Sequence, residues 1–164
     1  MVVRNVICME DRMLDLDTPQ AFSQHIGETL GPTDWRSISQ TEISGFADMT
    51  GDDHWIHVDI ERAAKDNPGG RTIVHGLYVL SLVPKWQRQL FHIEQRGAGL
   101  LYGYDKVRFV SPIMVDTPIR LSQIVGDVAP HKIGTRISLK SVIEVQSPDQ
   151  VALVAESILL IADA

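Results

Sequence analysis

A single cysteine, Cys8, is all the thiol chemistry that this 164-residue sequence offers. One thiol excludes an intrachain disulfide and fits a reducing compartment. No apolar run approaches the ~20 residues a membrane-spanning helix needs, and no secretory leader opens the chain. These absences point to a cytoplasmic protein with no membrane partner. A basic stripe is missing too: 15 Lys and Arg stand against 21 Asp and Glu, a net charge of −6. Nucleic acid is thereby excluded as the main partner, because binding its phosphates requires clustered cations. There is no internal repeat and no low-complexity segment. What remains is ordinary: 44% apolar and 22% charged residues, the composition of one globular domain able to bury a core.

Met1 to Arg12 shows no clear period and reads as a short strand followed by a loop, an extension ahead of the main pattern. Asp17-Thr18-Pro19-Gln20 starts a helix, with Thr18 at the cap and Pro19 at the first helical position. Ala21, Phe22, Ile26 and Leu30 continue it to Gly31-Pro32. Asp34 to Ile38 alternates as a strand. A second helix, capped by Ser39 or Thr41, carries Ile43, Phe46, Ala47 and Met49 on its buried face, and Gly51 stops it. Asp59 to Lys65 is a short helical turn, released by the Asn67-Pro68-Gly69-Gly70 loop. From Gly76, Leu77 to Val83 is apolar all round and predicts a helix buried on every side, interrupted at Pro84. Lys85 to Gln89 brings the chain back to the surface.

Four strands follow: Leu101 to Val110, Ile119 to Val125, Thr135 to Val145 and Val151 to Ile161. Ser147-Pro148-Asp149-Gln150 turns between the last two. In the third, Thr135, Ile137, Leu139, Ser141, Ile143 and Val145 alternate with outward residues, a half-buried strand. One buried helix ahead of four antiparallel strands predicts an α+β fold, an antiparallel sheet wrapped around a central helix.

Chemistry concentrates in Thr50-Gly51-Asp52-Asp53-His54-Trp55-Ile56-His57-Val58-Asp59, with two histidines and three carboxylates in ten residues. Trp55 and Ile56 anchor this loop and turn Asp52 and His57 toward a pocket. A second anchor is Thr72-Ile73-Val74-His75-Gly76, where a glycine opens the apolar helix. A carboxylate, an imidazole and a helix N-terminus are the parts that water addition or removal needs.

These two motifs, followed by Tyr102-Gly103-Tyr104-Asp105-Lys106-Val107-Arg108-Phe109-Val110-Ser111-Pro112, resemble the MaoC-like dehydratases, in particular their NodN-like branch. The resemblance covers roughly residues 35 to 161. It implies a hotdog fold, a homodimer, and (R)-specific hydration of a trans-2-enoyl thioester carried by coenzyme A or acyl carrier protein, without a cofactor or metal. Matching positions make Asp52 and His57 the catalytic pair and Gly76 the oxyanion donor. His54, Trp55, Ile56, His75, Leu77 and Tyr78 would line the substrate site. The chain departs from the family at His54, where an amide residue is common, and at Val115-Asp116, where relatives carry a glycine.

Blander readings stand beside these. Asp52 can cap the following turn, and His57 can be a half-buried structural histidine. Asp52, His54 and His57 could ligate a metal, although no distant ligand cluster joins them. Lys106 and Arg108 can be a solvated strand face or a contact to coenzyme A phosphates. A hotdog thioesterase and a non-catalytic acyl-thioester-binding subunit are the rival functions.

Overall fold

The computed structural model describes residues 13–146 and 150–164. The strand expected within the first dozen residues and most of the Ser147–Gln150 turn lie outside the described residues. Three long strands form the body of the sheet: β5 (Ile119–His131), β6 (Gly134–Val145) and β7 (Gln150–Ile161), flanked by β4 (Gly99–Phe109) and the short β2 (Thr29–Leu30). Their order is β2-β5-β6-β7-β4, antiparallel throughout. Alternation decides which face is inside. On β6 the residues from Thr135 to Val145 are buried at every second position, as the side-chain period of two requires. Ile119, Leu121, Gln123 and Val125 do the same on β5.

Into this concave face packs α4 (Gly76–Trp86), through Val79, Leu80, Val83 and Trp86. These side chains share one core with Ile119, Leu121, Ile137, Leu139 and Leu153. A second, parallel pair joins β1 (Leu14–Leu16) to β3 (Phe91–Ile93). Nothing in the local sequence pattern announces it, because both strands are three residues long. Three further helices, α1 (Gln40–Thr50), α2 (Trp55–Val58) and α3 (Ile60–Asp66), lie between β2 and α4.

Local reading and structure differ in instructive places. The first helix is a 3-10 helix over Pro19–His25 and stops there. Gly27 takes a left-handed φ of 86°, its N–H donates to Val125 O at 2.8 Å, and the chain becomes a strand on β5. Sheet pairing outcompetes helix propagation. Asp34 to Ile38 makes only a single bridge, Arg36 to Ile119, although Ile38 is fully buried. Met49 is 77% exposed rather than buried. α4 passes through Pro84 without ending, and its surface is not buried all round: Leu77 is 62% exposed. At the other end Gln87 is buried where polar neighbours suggested surface. Asp116 has φ 60°, the left-handed turn for which a glycine is the low-strain residue.

Candidate active site

Ser39 starts α1 with a capping box: its hydroxyl accepts from the Glu42 N–H, and the Glu42 carboxylate accepts from the Ser39 N–H. The same carboxylate pairs with Arg36 and accepts from the Tyr78 hydroxyl at 3.1 Å. Burial pushes the Glu42 carboxyl up, but the Ser39 groups, Arg36 and Tyr78 outweigh it, so it sits below its ordinary value. Burial and the Glu42 charge push the Tyr78 phenol up, which keeps it a donor. At the other end Gly51, with φ 78°, closes α1 in a left-handed cap. That turn releases the chain into the exposed segment Asp52 to His54.

The one-turn helix α2 would be marginal alone, and tertiary bonds hold it. Gln40 Nε2 donates to His57 O at 2.8 Å, Ile73 N–H donates to Ile56 O at 2.9 Å, and the Arg62 guanidinium covers the Trp55 ring at 4.2 Å. The His57 ring is thereby fixed in place. Its Nδ1 lies 2.6 Å from Ile73 O. A carbonyl oxygen only accepts, so Nδ1 carries the proton and neutral His57 leaves Nε2 with a free lone pair. Burial lowers the His57 pKa from its ordinary value; His75 and His54 add to this, against the Ile73 carbonyl and Asp52. A neutral imidazole with its tautomer set has the chemistry a general base needs.

His75 is the structural partner of this group. It is 2% exposed, its ring stacks on His57 with centroids 3.8 Å apart, and its Nε2 donates to Asp52 O at 2.8 Å. The Asp52 carboxylate lies 3.9 Å from the same nitrogen. Asp52, His57 and His75 each offer an atom within 4.8 Å of the others. For a metal this arrangement is poor: stacked rings send their lone pairs side by side rather than to one point, and His75 Nε2 is already donating.

Gly76 begins α4, so its N–H has no intrahelical acceptor and carries the positive end of the helix dipole. A Cβ here would lie 2.6 Å from the Phe109 ring; glycine lets β4 close over the helix start. A cavity of about 380 Å³ is lined by Asp52, His57, His75, Gly76 and Leu77, and walled by Phe109 and Leu153 among others. Five of the sequence-derived positions thus meet at one cavity. The other four do not line it: His54 is exposed and touches Trp55, Trp55 is held by Arg62, Ile56 serves through its backbone, and Tyr78 faces Glu42. Local reasoning missed the wall from Phe109 to Ile113 and from β7. The Phe109-Val110-Ser111-Pro112 motif was the available signal. Lys106 pairs with Glu156 across β4 and β7, and Arg108 donates to Val107 O, so neither faces the cavity.

Comparison with known proteins agrees with this architecture. The profile of the MaoC like domain matches residues 21–146. The 3-hydroxyacyl-thioester dehydratase Z of Mycobacterium tuberculosis is 41% identical over 133 residues, 80% of this chain and 87% of that protein. Nodulation protein N of Rhizobium leguminosarum bv. viciae is 35% identical, over 83% of this chain and 86% of its own. An unliganded R-hydratase structure from Pseudomonas aeruginosa superposes with a TM-score of 0.70 at 17% identity, covering 87% of this chain and 86% of that one; this likeness is one of fold, the α+β hotdog. The chain belongs to the MaoC-like domain family.

Proposed function

We propose that this protein is an (R)-specific enoyl-thioester hydratase and dehydratase, which adds water to a trans-2-enoyl thioester to give the (R)-3-hydroxyacyl thioester. The observation that carries the reading is the shared cavity: a neutral imidazole, a carboxylate and a free helix-start N–H face one space of about 380 Å³. Its relatives include a 3-hydroxyacyl-thioester dehydratase.

In the hydration direction His57 Nε2 takes a proton from water while the water oxygen bonds to the β-carbon. The double-bond electrons move through the α-carbon onto the thioester oxygen, which becomes an enolate. The Gly76 N–H, aided by the α4 dipole, meets this charge. The imidazolium then returns the proton to the α-carbon, and the carbonyl re-forms. The Asp52 carboxylate, within 4.8 Å of the imidazole, orients the water and stabilises the transient imidazolium. No cofactor takes part, and dehydration is the same path reversed.

The chain acts as one MaoC-like hotdog domain, in which the 3-10 helix Pro19–His25 leads into β2 of the main sheet. It works as a homodimer. Support comes from β4, the last strand of the sheet, whose outer side has no partner among the described residues. Leu100 (56%), Tyr102 (67%) and Phe109 (51%) are exposed along it, and an open apolar edge favours pairing with a second copy. Coenzyme A and acyl carrier protein are both open as carriers.

Purified protein mixed with crotonyl-coenzyme A tests the reading. Loss of the enoyl absorbance without free thiol, with (R)-3-hydroxybutyryl-coenzyme A as product, is expected. Thiol release from a saturated acyl-coenzyme A at a matching rate would instead establish the thioesterase.

A further inference from the structure

Gln40 opens α1, where the capping box of Ser39 fixes the helix start. Its side chain joins two segments that are remote from it in sequence. Gln40 Nε2 donates to His57 O at 2.8 Å, and Gln40 Oε1 accepts from the Thr72 hydroxyl at 2.5 Å. Thr72 is 1% exposed, so its hydroxyl depends on a protein partner. An amide donates with one atom and accepts with the other, and these two bonds use both. A carboxylate of the same length would set an acceptor against the His57 carbonyl.

Thr72 is followed directly by Ile73, whose carbonyl accepts from His57 Nδ1 at 2.6 Å. The hydrogen bonds therefore close a ring. His57 is held by its imidazole to Ile73 and by its backbone, through Gln40, to Thr72. The far side of the ring is anchored as well. Val74 N–H donates to Ile113 O at 2.8 Å, and Val115 N–H donates to Thr72 O at 2.9 Å. On the near side α2 has four residues, too few to hold a side chain's direction alone. Neither Gln40 nor Thr72 lines the cavity of Asp52 and His57, so they reach its chemistry only through the imidazole. Loosening the ring would weaken the bond from His57 Nδ1 to Ile73. The proton would then exchange between the two ring nitrogens, and each molecule with Nε2 protonated lacks the lone pair that the base needs.

We propose that Gln40, acting with Thr72, is a positioning residue for the His57 base: its amide fixes the place and the tautomer of the imidazole without touching substrate. The inference rests on the hydratase reading above and deepens it.

Gln40→Met keeps the length of the side chain and removes both bonds. On crotonyl-coenzyme A its kcat is expected to fall about tenfold or more, the scale on which small misplacements act, with KM little changed. Thr72→Val removes only the hydroxyl and should show the same fall, while Thr72→Ser should keep most of the rate. The Gln40→Met/Thr72→Val double variant should be little worse than either single one, because both open one ring. NMR of protein labelled in its histidine nitrogens reads the ring without turnover, with the His57 signals assigned from their loss in His57→Ala. In the wild type one His57 nitrogen is expected at the shift of a protonated atom and the other at that of an unprotonated one. In Gln40→Met and Thr72→Val the two signals should move toward each other. A lower melting temperature with wild-type kcat and unmoved His57 signals would reduce Gln40 to a cap of α2 and overturn the proposal. Should Gln40→Met not fold, Thr72→Val beside Thr72→Ser decides the same question. Signals that converge in the variants of a protein that hydrates no crotonyl-coenzyme A would keep the brace and sink the hydratase. Equal hydration by wild type, Gln40→Met and Thr72→Val would sink the brace and keep the hydratase.

Discussion

The imidazole of His57 lies face to face with that of His75, centroids 3.8 Å apart and planes 24° from parallel. The neighbouring ring disfavours a charge on His57. With burial as the larger cause, the stack holds the His57 pKa below its ordinary 6.5. The expected kcat/KM is flat near pH 7 and falls only on a limb below pH 6.5, where the base becomes protonated. His75→Leu removes one depressing neighbour, so that limb should move to higher pH. An unmoved limb in a folded variant would show that the stack does not tune the base. Stability follows the same sign: the native state prefers neutral His57, so its contribution is lost as pH falls below 6.5.

Asp52→Asn and His57→Ala should each lower hydration by roughly 10²- to 10⁴-fold. Because both act on one proton, the double variant should be little worse than either alone. Steady-state rates on crotonyl-coenzyme A measure this. Near-normal turnover by a folded single variant would remove that residue from the mechanism.

Gly76→Ala sets a methyl group against the Phe109 ring, 2.6 Å away at the Cβ. The displaced helix start misplaces the oxyanion donor, and the loss should be about tenfold to a hundredfold in kcat, somewhat less than the roughly 10²- to 10³-fold of a donor removed outright. Adding Phe109→Ala relieves the collision and should return part of the rate. No return in the double variant would mean that the collision is not the cause.

Glu42→Ala removes the capping box, the Arg36 pair and the acceptor of Tyr78 together. A cap alone is worth about 1 kcal/mol, so denaturant unfolding should show a loss of at least that size. The folded Glu42 carboxyl sits below its usual 4.5. The stability it adds is therefore present above pH 4.5 and lost as pH falls through the lower, folded value. Urea midpoints measured from pH 6 to 3 should converge for wild type and variant.

The local sequence sufficed where one rule acted alone. The period of two along Thr135 to Val145 set the buried face of β6, and Gly51 set the end of α1, whereas the choice between Ser39 and Thr41 as its cap fell to the capping box that Ser39 makes with Glu42. It also singled out Asp52, His57 and Gly76, which the structure gathers at one cavity. It could not show that Met49 and Leu77 face outward, since an apolar residue carries no label for what covers it. Nor could it place the 3-10 helix and β2 where one longer helix was expected, because the gain there comes from hydrogen bonds to β5, remote in sequence. Most of all, local pattern separates His57 from His75 by a loop and a helix. Only the fold stacks their rings, buries His75 and closes β4 over Gly76. What tunes the base and builds the cavity is distance in space, which spacing along the chain does not encode.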